Sequence, residues 1–118
     1  MRRDPRAFLS DVIEAGSAIL EAVSTISFES YSENRLIRSS VEREFTIIGE
    51  ALSQLSQRDK EIFDQIKQAP QIISFRNKLT HEYLKVNNLL VWGVIEDDLP
   101  ALIEQCSGIL RTLNAAQE

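Results

Sequence analysis

Between positions 76 and 83 the chain gathers Arg76, Asn77, His81 and Tyr83, and His81 is its only histidine. A guanidinium, an imidazole and a phenol this close together suit phosphate chemistry. An arginine can grip a phosphate through parallel hydrogen bonds and offset the charge that develops on its oxygens. An imidazole changes protonation near neutral pH and can move the proton such a reaction must transfer. Each residue also has a plainer reading. His81 alone would be a surface or structural residue, Arg76 a solvated or ion-paired cation, and Tyr83 a packing ring whose hydroxyl reaches water. Periodicity puts them on a helix, where Arg76 and Tyr83 share a face but Arg76 and His81 diverge by about 140°. Asn77 and His81, four apart, do share a face. A site made by one regular helix is therefore awkward, and it eases if the helix ends near Thr80 or if a second protomer supplies the complementary set.

The elements that must position these residues are helical. Apolar residues recur at helical spacing almost throughout, with no convincing alternation of strand type. The first helix is expected from about Pro5 to Ser24, with Phe8, Val12, Ala15 and Ile19 on one stripe and Gly16 allowing a close neighbour. Ser27 to Ser32 reads as a connection, with Ser30 or Ser32 as candidate caps. A second helix, about Glu33 to Ser56, carries Ile37, Val41, Phe45, Ile48, Leu52 and Leu55 on a seam suited to a bundle. A short helix follows Ser56-x-x-Asp59, placing Ile62, Phe63 and Ile66 inward. Pro70 opens the helix that carries Arg76. Asn87 or Asn88 caps the last helix, which bears Trp92, Ile95, Leu99, Leu102, Cys106 and Ile109 and is expected to kink at Pro100. The prediction is an all-α bundle of four main helices plus a short one, forming one domain over residues 1–118.

Composition narrows the chemistry. The 118 residues are 43% hydrophobic and 26% charged, ordinary for a globular domain. One cysteine and one histidine argue against an internal disulfide or a zinc site within one protomer. No apolar run approaches the roughly 20 residues a bilayer requires, and the first residues lack the apolar segment of a signal peptide. A cytoplasmic protein without a membrane partner is expected. The net charge of −5 is the wrong sign for coating nucleic acid through a broad basic face. It leaves room for brief contact at a local positive site, which Arg76, Lys78 and Lys85 supply. Cys106 and Trp92 read as packing residues, with Trp92 in the core or at an interface.

Arg76-x4-His81-x-Tyr83, with Asn77 after the arginine, resembles the signature of the HEPN superfamily and, within it, the HepT-like toxins. Ile47-Ile48-Gly49-Glu50-Ala51 is similar to that family's second-helix segment, and Val91-Trp92 and Leu99-Pro100-Ala101-Leu102 to its last helix. The resemblance runs from about Val41 to Leu102, with Gln71 and Asn87 standing where the family often has tryptophan and aspartate. It implies a HEPN-like homodimer whose two motifs meet across a two-fold axis to form one metal-independent endoribonuclease cleft, with no cofactor. Such a protein would be the toxin of a type II- or VII-like toxin–antitoxin system. Its partners would be RNA and a cognate minimal nucleotidyltransferase antitoxin, which adenylylates the motif tyrosine, here Tyr83.

The residue types then suggest His81 as general acid or base and Arg76 as phosphate clamp. Asn77 would orient the imidazole or bind phosphate. Glycine inside a helix costs about 1 kcal/mol relative to alanine, so Gly49 suggests close helix contact near the cleft. Glu50 beside it could support the site by pairing with Arg76 or His81, although an isolated helical glutamate is more often simply solvated. Two other classes of function stay open: a non-catalytic nucleotide-binding or regulatory subunit of a nucleotidyltransferase complex, and a structural helical adaptor.

Overall fold

The computed structural model describes residues 3–81 and 87–116. Among them the chain forms seven helices and no strand: α1 Pro5–Val23, α2 Phe28–Glu33, α3 Arg35–Arg58, α4 Lys60–Phe63, α5 Ala69–His81, α6 Asn88–Asp97 and α7 Leu99–Ala115. Short polar side chains start most of them. Asp4, Ser27, Asn34, Asp59 and Asn87 each accept a backbone N–H of the first turn that would otherwise lack a partner. Asp4 holds the amide of Arg6 at 2.9 Å and also pairs with its guanidinium, which draws the Asp4 carboxyl below its ordinary range.

Helix α3 is the spine. It packs against α1 on one side and α5 on the other, while α1 also packs on α7 and α6 on α7. The seam read from sequence is the buried face of α3: Val41, Phe45, Ile48, Leu52 and Leu55 are all essentially inaccessible. Phe45 meets Phe75 of α5 edge to face, with ring centroids 5.0 Å apart. Such pairs add about 0.5–1.5 kcal/mol beyond the area they bury, so this contact helps to hold the α3–α5 crossing that carries the motif. Gly16 lets α7 close on α1. A Cβ there would lie 2.8 Å from Ile103, a side chain and not the neighbouring backbone.

Three boundaries differ from expectation, each for a local reason. Residues 28–33 form α2, capped by Ser27, because Tyr31 is drawn into the core. Its ring lies 5.4 Å from that of Trp92, which also meets Phe28 at 5.9 Å. The cap of α3 is accordingly Asn34, not Ser30 or Ser32. The expected kink at Pro100 is a break between α6 and α7. Pro100 falls in the first turn of α7, where its missing N–H costs nothing, so no helix interior has to bend around it.

Candidate functional site

Helix α5 turns Ile72, Phe75 and Leu79 into the core. Arg76, next to Phe75, is thereby rolled toward α3 and left with 17% of its side chain exposed. Its stem crosses α3 at Gly49: a Cβ on that residue would lie 2.5 Å from the Arg76 Cγ and 2.8 Å from its Nε. No residue but glycine fits there without moving the arginine. The Nη2 group donates to Ser53 Oγ at 2.9 Å, and Nη1 lies 3.6 Å from a Glu50 carboxylate oxygen. The Nε atom is buried and has no hydrogen-bond partner among the described residues.

Of the two sequence readings of Glu50, both hold in part. It pairs with Arg76, yet 62% of its side chain is exposed. At that distance and exposure the pair adds about 0–1 kcal/mol, so Glu50 shadows the guanidinium without anchoring it. Glu50 also borders an open groove of about 410 Å³ between α1 and α3, lined by the apolar Phe8, Ile47 and Ala51 and by Arg3, Asp11, Arg43, Thr46 and Gln54. Ser53 is the residue the sequence reading missed. Its signal was the four-residue step from Gly49, which places a slot and a hydroxyl on one face of α3.

The other motif residues are arranged differently. Asn77 and His81 are both exposed, and His81 is the last residue of α5. Because the helix runs regularly through Thr80, whose hydroxyl bonds back to the Arg76 carbonyl at 3.1 Å, the angular divergence of Arg76 and His81 persists. Among the described residues no hydrogen bond joins His81 to Arg76, Asn77 or Glu50. Lys78 and His81 occupy the last turn, where the helix dipole favours positive charge. Tyr83 and Lys85 lie outside the described residues. The structure thus brings together Arg76, Glu50, Ser53 and Gly49, and leaves Asn77 and His81 on the surface of α5.

Cys106 is fully buried, and burial pushes its thiol up to about 12, which removes it as a nucleophile near neutral pH. Trp92 is half-buried against Phe28 and Tyr31. Among the described residues no group of three or more acidic, histidine or cysteine side chains is arranged to hold a metal ion. No described helix is long and apolar enough to cross a membrane.

Residues 12–109 match the family model described as ribonuclease HepT-like. The chain belongs to the HepT-like ribonuclease family. Its relatives include a protein of Methanocaldococcus jannaschii named as a candidate RNase, 30% identical over 101 residues that cover 86% of this chain and 92% of the relative. A protein of Caldanaerobacter subterraneus subsp. tengcongensis, also named as a candidate RNase, is 30% identical over 109 residues, covering 92% and 96% respectively. One from Thermococcus cleftensis, named a probable ribonuclease HepT, is 29% identical over 102 residues, covering 86% and 92%. No solved structure matches. The HepT-like segment takes in α3, α5 and α6, so Gly49, Glu50, Ser53, Arg76, Asn77, His81 and Tyr83 all fall inside it. The all-α bundle is the HEPN type expected from the resemblance.

Proposed function

We propose that this HepT-like protein is a metal-independent endoribonuclease that works as a homodimer, with Arg76 and His81 of two protomers lining one cleft. The observation that carries the reading is the seating of Arg76. Its stem is locked in the Gly49 slot and its Nη groups sit at the α3–α5 surface, one end on Ser53 and the other beside a loosely held carboxylate. An arginine held this way is preorganised for an anionic ligand. In the reaction, the ribose 2′-hydroxyl attacks the adjacent phosphorus and the bond from phosphorus to the 5′-oxygen breaks. A base accepts the 2′-hydroxyl proton and an acid supplies one to the departing oxygen, leaving a 2′,3′-cyclic phosphate and a 5′-hydroxyl. His81 serves as acid or base, with the partner copy available for the other role. Arg76 stabilises the phosphate oxygens, and Asn77 orients the imidazole or contacts the phosphate. Glu50 stands beside Arg76, without anchoring it, until the phosphate replaces it.

The same reading makes the protein the toxin of a toxin–antitoxin pair, silenced when a cognate nucleotidyltransferase adenylylates Tyr83. AMP there would bring bulk and negative charge next to a cleft that must receive an RNA phosphate. Cleavage of RNA by the purified protein with chelator present tests the chemistry. Arg76→Ala and His81→Ala are expected to lose roughly 100-fold or more of that activity while remaining folded. Parental rates in both folded variants would refute the assignment. Intact-mass and peptide analysis after co-expression with the nucleotidyltransferase tests the regulation, with an AMP increment expected on Tyr83.

A further inference from the structure

We infer that Ser53 is the positioning residue for the Arg76 guanidinium, and that Gly49 is the slot that lets it act. The inference rests on Arg76 being the phosphate-binding group. A guanidinium on a long stem has several ways to point, and binding a phosphate productively requires one of them. Of its three nitrogens, Nε is buried without a partner among the described residues, and Nη1 reaches only an exposed carboxylate at 3.6 Å. Only the bond from Nη2 to Ser53 Oγ, at 2.9 Å and partly buried, has both the length and the shelter to fix rotation about the end of the side chain.

Two other hydroxyls of α3 show what Ser53 does differently. Thr46 donates back to the Glu42 carbonyl at 3.0 Å and Ser56 to the Ser53 carbonyl at 2.7 Å. That back-bonding is the ordinary behaviour of hydroxyls inside helices. Ser53 Oγ instead accepts from a side chain 23 positions away on another helix. The arginine supplies the reach, and its stem has to pass α3 at Gly49 before its end arrives at Ser53. That stem lies in the space a Cβ on Gly49 would occupy. One turn of α3 therefore supplies both the slot and the hydroxyl. With Nη2 committed to Ser53, Nη1 is the group left to meet a phosphate, in the place where Glu50 now stands.

The test compares Ser53→Ala, Ser53→Thr and Gly49→Ala with the parent by two readouts. The first is the arginine side-chain ¹⁵N spectrum, with the Arg76 signal identified by its loss in Arg76→Ala. The parent should show slow rotation of the Arg76 guanidinium. Ser53→Ala should release that rotation, and Ser53→Thr, which keeps the hydroxyl, should retain it. The second is metal-free RNA cleavage: Ser53→Ala should lower kcat by roughly 10- to 100-fold with KM changed less, and Ser53→Thr should return it to within about threefold of the parent. Gly49→Ala should release the arginine as Ser53→Ala does. Unaltered rotation and parental kcat in folded Ser53→Ala would overturn the inference, as would a loss of thermal stability alone. Cleavage that survives Arg76→Ala would instead overturn the assignment of Arg76 as the phosphate-binding group, while the spectrum would still decide what positions Arg76.

Discussion

Arg76 and His81 stand five residues apart on one helix, and the fold holds them in opposite ways. The arginine is pressed into α3, with its stem over Gly49, one nitrogen on Ser53 and another near Glu50. The histidine ends α5 on the surface, with no hydrogen bond to the other described site residues. One member of the proposed catalytic pair is therefore placed by the protomer's own packing. The other is presented for something beyond that packing to complete. The contrast suits a composite site, in which each protomer offers a fixed phosphate-binding group and an imidazole that becomes useful only opposite the partner's arginine.

The largest effect that could break this comparison comes from mixing variants. If Arg76 of one protomer works with His81 of the other, heterodimers of Arg76→Ala and His81→Ala chains keep one complete pair. Co-expressed and isolated with two different tags, they should cleave RNA roughly 100-fold faster than either homodimeric variant. If arginine and histidine instead act within one protomer, the heterodimer has no complete pair and stays as slow as its parents. That outcome would show that one Arg76 and one His81 from different protomers do not suffice, even if both residues proved essential.

A smaller effect separates the two residues by stability. Arg76→Ala removes a stem packed over α3 and strands the Ser53 hydroxyl, so it should cost about 1–2 kcal/mol in chemical denaturation. His81→Ala, exposed at a helix end, should stay within about 0.5 kcal/mol of the parent. Equal losses would mean that His81 is also held by the fold. Glu50→Gln sharpens the arginine side further. Removing a weak, exposed counter-charge should leave stability within about 0.5 kcal/mol, and it should strengthen RNA binding because the phosphate no longer displaces a carboxylate. Weaker RNA binding by this variant would show that Glu50 orients Arg76 and does not merely shield it.

The same contrast explains what the sequence could reveal. Core-facing periodicity is strong in α1, α3 and α7, so the bundle and most of its buried residues were legible from spacing alone. Gly49, a glycine inside a helix, marks a close approach, and the structure makes the reason specific: it admits an arginine stem, not a backbone. Ser53 stayed hidden because its four-residue step from Gly49 marks a shared face of α3 but names no partner for the hydroxyl. Its partner lies on another helix, and only the α3–α5 crossing, where Phe45 meets Phe75, brings the two together. Tyr31 was hidden for a related reason. A serine-rich flank made residues 27–32 look like a connection, whereas burial of one aromatic ring against Trp92 organises them into a helix. Long-range packing, and not local propensity, decided both.

Tyr31 also supplies the smallest test, because it shares one property with Arg76 and lacks the others. Its hydroxyl, like Arg76 Nε, is buried without a hydrogen-bond partner among the described residues, but nothing places it near the motif. Burial, reinforced by the charge of Glu42 and opposed by Arg38, pushes the phenol up from 10.0 to about 12. An unfolded chain would release this proton above about pH 10, where the native protein still keeps it. The unfolded state then binds fewer protons, so stability falls as pH rises from about 10 to 12, by at most about 1.4 kcal/mol per pH unit. Below pH 10 that contribution is fully present. Cys106, pushed by burial from 9.0 to about 12, adds a similar loss that begins about one pH unit earlier. Tyr31→Phe should flatten the alkaline limb between about pH 10 and 12. At neutral pH it should raise stability by about 1 kcal/mol, since it removes a desolvated hydroxyl that makes no bond. RNA cleavage should be unchanged. A drop in neutral stability would mean the hydroxyl has a partner after all. A drop in cleavage would mean that the Tyr31–Trp92 cluster helps to hold the site, and that the fold anchors more of the catalytic apparatus than the arginine alone.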